Sequence, residues 1–120
     1  MHELSVCQAL IGQVERIARE NGARRVVSVV VAVGPLSGVE PALLEHAYPI
    51  AAAGTVAEHA SLTVEVMPVE VHCRKCGARG EARPNRIVCA ACGEWQVDVI
   101  SGEEMLLKRV EIETDALAAS

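Results

Sequence analysis

Two pairs of cysteines carry the clearest chemistry in this 120-residue chain. They read Cys73-Arg-Lys-Cys76 and Cys89-Ala-Ala-Cys92, with twelve residues between them. A CxxC turn sets two thiolates on one edge of a tight knuckle, where neighbouring backbone amides can donate to sulfur. Two facing knuckles bring four sulfurs to about 2.3 Å from one Zn²⁺. Gly77 and Gly93 directly follow the pairs and supply the backbone freedom that such knuckles use. The doubled spacing favours zinc over its alternatives, disulfides or an iron–sulfur cluster. Four ligands fill the tetrahedron and leave no position for a substrate. The expected site is therefore structural, and its binding energy holds together a small lobe that is nearly without a core of its own.

A second arrangement lies at the start of the chain, Met1-His2-Glu3. An α-amine, an amide nitrogen and an imidazole nitrogen can chelate one ion in adjacent rings. Nitrogen-rich tetragonal sites of this kind suit Ni(II) or Cu(II). The residues alone leave this reading beside a plainer one, because a histidine near a terminus is usually just solvated. A helix N-terminus also repels cations, which deprotonated backbone nitrogen would have to overcome. The other candidates have plain readings. Cys7 falls on an apolar helix face and reads as core. His46 and His59 lack a partner motif and read as surface or capping residues, and His72 abuts the first cysteine ligand. Glu40, just before Pro41, reads as a helix N-terminal acid. No Ser/His/Asp set, phosphate loop or carboxylate pair suggests an enzyme.

The chain is 51% hydrophobic but only 2% aromatic, so Val, Ala and Leu must build the core. Its formal charge of −5 makes it a poor partner for phosphate backbones. Five of the 11 basic residues, Arg74, Lys75, Arg79, Arg83 and Arg86, nevertheless cluster in the cysteine segment. Four thiolates around Zn²⁺ leave two uncompensated negative charges. Arg74, Lys75 and Arg79 are near enough in sequence to offset them, a reading preferred to nucleic-acid binding. The opening residues carry no basic and then apolar leader, and no stretch is long enough to span a bilayer. The expectation is a soluble cytoplasmic protein.

These sites need elements to position them. Leu4, Cys7, Leu10, Ile11, Val14, Ile17 and Ala18 recur at helical spacing over 3–20, and Asn21-Gly22 is a stop signal. Residues 25–33 are dense in valine and predict a strand covered on both faces. Pro41 opens a second helix, which Pro49 should kink or end early. Residues 61–67 alternate as a half-buried strand whose end, at Pro68, lies at a sheet edge or a bulge. The cysteine segment follows, then a strand over 103–113 and a tail from Asp115 that should fray. The order suggests that the strands before and after the cysteines are neighbours in one sheet, with the cysteine segment as an excursion from a long hairpin.

The blocks Met1-His2-Glu3-Leu4-Ser5, Gly34-Pro35-Leu36-Ser37-Gly38-Val39-Glu40-Pro41, the two CxxC pairs and Glu111-Ile112-Glu113 follow one another in this order. Together they resemble the HypA/HybF family of hydrogenase-maturation nickel chaperones, over essentially the whole chain. The resemblance implies an α+β fold, with two helices packed on a three-stranded sheet and an inserted zinc-ribbon-like domain. It implies a nickel-binding domain over 1–70 and 101–120 and a zinc-binding domain over 71–100. Ni(II), as cargo, would be bound by His2 with Glu3 and nearby backbone nitrogens, and Glu40 matches a family acidic position near that site. Zinc would be held by Cys73, Cys76, Cys89 and Cys92. The implied partners are a maturation GTPase and the large subunit of a [NiFe]-hydrogenase, with urease maturation as a further destination in some members. Pro49 and the aromatic-poor second helix depart from the family pattern. Monomer and dimer are both open. The competing readings are a zinc-ribbon adaptor for nucleic acid or a transcription complex, and a dithiol redox protein.

Overall fold

A computed structural model describes the backbone of residues 2–114 and the side chains from Glu3 to Thr114. Met1, the His2 side chain and the tail expected to fray, 115–120, lie outside the described residues. The element order is α1 (His2–Glu20), β1 (Ala23–Val33), α2 (Pro41–Ala52), β2 (Ser61–Val66), β3 (Val69–Cys73), β4 (Arg79–Ala82), β5 (Val97–Ser101) and β6 (Met105–Thr114). The strands form two three-stranded sheets, ordered β2-β1-β6 and β4-β3-β5.

The described chain packs as two compact units. The first takes the chain up to Val31, Glu40–Val64 and the residues from Leu107 on; the second takes Ala32–Val39 and Glu65–Leu106. The division falls inside β1, β2 and β6, and in the loop between Val39 and Glu40.

In the first unit, α1 buries Cys7, Leu10, Ile11, Val14 and Ala18. That is most of the stripe its helical spacing predicts, but Leu4 is exposed and Ile17 half-buried. Asn21 stops the helix by donating its side-chain amide to the Ile17 carbonyl at 2.8 Å, and Gly22 takes φ 63°. The helix α2 buries Leu44, Tyr48 and Ala52 on one face. Pro49 does not end it there, and the helix runs on to Ala52. The carbonyl deprived of its donor belongs to Glu45, and both Glu45 and Pro49 are exposed, so water can satisfy that oxygen. Tyr48 gives its hydroxyl to the Ala57 carbonyl at 3.1 Å and so fixes the turn after α2.

The expectation that β2 and β6 are neighbours is corrected. The central strand is β1, and β2 and β6 flank it on either side. The reason lies in β1 itself, where Val29 to Val33 are all buried. A run covered on both faces belongs in a sheet's middle, whereas the half-exposed β2 and β6 suit its edges. Pro68 follows edge strand β2, as its missing donor requires.

In the second unit, β3 alternates buried Val69, Val71 and Cys73 with exposed Glu70 and His72. It pairs antiparallel with β4 and with β5. Gly34 and Gly102 meet here backbone to backbone. A Cβ on Gly34 would stand 2.1 Å from the Gly102 carbonyl oxygen. The contact is held by Gly34 N–H donating to the Glu104 carbonyl and Leu36 N–H donating to the Gly102 carbonyl, each at 2.8 Å. Ser37 completes the turn, donating its hydroxyl to the Gly34 carbonyl at 2.7 Å.

Candidate metal centres

Cys73 is the last residue of β3, the middle strand of its sheet, and the chain turns directly into the first knuckle. Gly77 N–H returns to the Cys73 carbonyl at 3.1 Å with φ 76°. The second knuckle repeats the first: Gly93 N–H donates to the Cys89 carbonyl at 2.8 Å, with φ 78°. Both glycines sit where an L side chain would be strained. The amides of Lys75 and Cys76 each donate to the Cys73 sulfur at 3.3 Å.

The two knuckles face each other. Sγ of Cys73 lies 3.7 Å from Sγ of Cys92, and Sγ of Cys76 lies 3.6 Å from Sγ of Cys89. All four sulfurs fall within 4.8 Å of one another. A regular tetrahedron with sulfurs about 2.3 Å from its centre has edges of about 3.8 Å. The donor set therefore fits a four-coordinate zinc ion in both chemistry and size. Disulfides do not form, since bonded sulfurs would be about 2 Å apart.

The thiols titrate far apart, as four crowded anions must. The Cys76 amide donating to its sulfur brings Cys73 down to about 7. The amide of Glu94 pulls Cys92 down, but desolvation and the sulfurs of Cys73, Cys76 and Cys89 outweigh it and push Cys92 up to about 12. A divalent cation at the centre removes that repulsion and lets all four ionise together.

The basic cluster does not act as one patch. Arg74 directs Nε and Nη2 to Oδ1 of Asp98, at 3.0 and 2.7 Å. That guanidinium, through its hydrogen bonds, depresses the pKa of the Asp98 carboxylate. Trp95 is exposed and is the only tryptophan in the chain. The nucleic-acid reading gains no support from this arrangement.

At the other site, His2 begins α1 and Glu3 lies in its first turn, buried to 6% exposure. Glu40 is the N-cap residue of α2. Its carbonyl accepts from Leu44 N–H at 2.9 Å, and its side chain makes no capping hydrogen bond. Cys7 is buried, as expected, with Sγ donating to the Leu44 carbonyl at 3.4 Å. Burial, followed by the nearby charge of Glu3, pushes its thiol pKa up, which keeps it an inert neutral packing group. Glu3 also faces a cavity of about 310 Å³, lined further by Leu4, Leu43, His46, Ala47 and Ile50. Glu40 is not part of that lining, whereas His46 is. From the sequence His46 reads as a surface or capping residue, and it is exposed; its place at the cavity is what the structure adds. The available signal was the i, i+3, i+4, i+7 run of Leu43, His46, Ala47 and Ile50 on one flank of α2.

A family model described as "Hydrogenase/urease nickel incorporation, metallochaperone, hypA" matches residues 1–112. The chain belongs to the HypA family. The hydrogenase maturation factor HypA of Nitrosospira multiformis is 51% identical over 114 residues, covering 95% of this chain and 99% of that protein. The HypA of Aquifex aeolicus is 44% identical over 115 residues, covering 96% of this chain and all of that protein. Among solved structures, that of the Ni metallochaperone HypA from Helicobacter pylori superposes with a TM-score of 0.71 at 29% identity, covering 95% of this chain and 99% of that one. Two helices, three-stranded sheets and a four-cysteine cluster are thus the HypA fold, as the sequence resemblance implied.

Proposed function

We propose that this chain is a nickel metallochaperone, which binds Ni(II) and delivers it for maturation of [NiFe]-hydrogenase, and in some settings of urease. The observation that carries the reading is the family match over 1–112. It takes in the Met1-His2-Glu3 opening and both CxxC pairs together. The Met1 amine, the backbone nitrogen and imidazole of His2, and Glu3 supply the nickel donors, with Glu40 as a further acidic residue near them. Cys73, Cys76, Cys89 and Cys92 hold a structural zinc ion, and the sulfur spacing supports that assignment. Residues 71–100 form the zinc-binding domain, and 1–70 with 101–120 the nickel-binding domain.

A carrier needs no reaction of its own. It must hold a labile cargo and then give it up, so a few donors at an accessible chain start suit the task better than an enclosed cage. The partners are a maturation GTPase and the hydrogenase large subunit, in the cytoplasm. Among the described residues no helix is long and apolar enough to cross a membrane.

Calorimetric titration of the zinc-loaded protein with Ni(II) tests the assignment. Nickel should bind, and His2→Ala should abolish that binding while zinc content stays the same. Retained nickel affinity in His2→Ala would sink the reading.

A further inference from the structure

His46 has no partner in the sequence pattern, yet the fold sets it on the same cavity as Glu3. The flank of α2 that carries Leu43, His46, Ala47 and Ile50 adjoins the face that buries Leu44 and Tyr48. Opposite that buried face lies the start of α1, since Cys7 sits against the Leu44 carbonyl. One turn earlier on α1, Glu3 and Leu4 close the remaining side of the 310 Å³ cavity. Four of its six lining side chains are aliphatic. The other two are a carboxylate and an imidazole, both metal-ligating groups, one from each helix.

From this juxtaposition we infer that His46 is a further nickel ligand, which meets the ion from α2 while Glu3 and the chain start hold it from α1. The inference rests on the nickel-binding reading above and adds a donor to that site. Neutral imidazole is a favoured donor for Ni(II) and brings no charge into a cavity with aliphatic walls. The two donors come from different helices, so a bound ion would also tie the start of α1 to α2. Glu3 is buried and His46 is exposed, which suits a cargo site. The carboxylate is enclosed by the fold, whereas the imidazole is open to solvent, from which the ion arrives.

The test uses the zinc-loaded full chain beginning at Met1, titrated with Ni(II), and X-ray absorption of the nickel-bound form. His46→Ala and His46→Gln should each weaken nickel binding by about tenfold or more, a loss that even an outer hydrogen-bond partner of a metal ligand can cause. In both variants the imidazole scattering should fall by one ring. His59→Ala, at a side chain 88% exposed beside Glu58, should change neither reading. Wild-type affinity in the His46 variants would overturn the inference. So would weakened binding with an unchanged imidazole count, because that would make His46 a packing or electrostatic neighbour and not a ligand. Neither result touches the nickel-carrier reading, which stands or falls with His2→Ala.

Discussion

The donors proposed at the start of the chain would work against the field of the helix they open. The N-terminus of α1 carries partial positive charge, which repels a divalent cation and attracts a carboxylate. Glu3, buried in the first turn, is favoured by that field and supplies negative charge next to the proposed cargo. In the proposed nickel site the Met1 amine is the other essential group, because without it the His2 amide nitrogen would not close two adjacent chelate rings. A Gly-Ser remnant placed before Met1 should therefore abolish tight nickel binding, while zinc content and melting temperature stay as in the unextended chain. Paired calorimetric and metal analyses of the two preparations check this, and equal nickel affinity would remove the amine from the ligand set. At this scale, legibility followed sequence distance. The zinc site could be read because each knuckle spans only four residues. His46 could not, since its cavity partner Glu3 lies on another helix, 43 positions away. Nor could the pairing of Arg25 with Glu113 at 2.8 Å, across 88 positions.

Elements were read well where one local signal dominated, and less well where neighbours decided. The stripe on α1 and the valine run of β1 each specify a burial pattern, and the structure keeps both in their central parts, with Leu4 and Val27 exposed. The sheet order depended instead on competition among three strands, which the chain order of β2 and β6 could not reveal. The alternation of Val69, Val71 and Cys73 was present in the sequence, but the nearby cysteines drew attention from it. Two glycines show how differently the same residue type can serve an element. Gly12 lies inside α1, and a Cβ there would meet nothing within 4 Å. Gly12→Ala should stabilise the protein by about 1 kcal/mol through helix propensity alone. Gly34 is packed on the Gly102 backbone, and Gly34→Ala forces two main chains apart. It should cost roughly 1–3 kcal/mol or more, in the range of overpacked sites. Urea unfolding of both variants should give midpoint shifts of opposite sign. A Gly34→Ala variant as stable as the parent would show that the close approach does not constrain the turn.

On the scale of the molecule, the two units rest on different sources of stability. The first buries Leu10, Ile11, Val14, Val26, Val29, Leu44 and Tyr48 in one apolar core. In the second, the β4-β3-β5 sheet contributes only Val69 and Val71 beside the cysteines themselves. Each buried valine supplies about 1.5–3 kcal/mol, whereas structural zinc in small domains binds with about 10–16 kcal/mol of apparent free energy that is also folding energy. A bound zinc ion would therefore be the larger part of what holds this sheet. Removing zinc with a strong chelator should release the amides of Val71, His72 and Cys73 to rapid hydrogen exchange. Amides along α1, such as those of Leu10 and Val14, should stay protected. Cys89→Ser, with zinc present in solution, should produce the same pattern, and added zinc should restore protection only in the unmodified chain. If the β3 amides kept their protection after zinc removal, the few valines and the Gly34–Gly102 contact would have to carry the unit. The four cysteines would then be free to respond to metal without the fold depending on it.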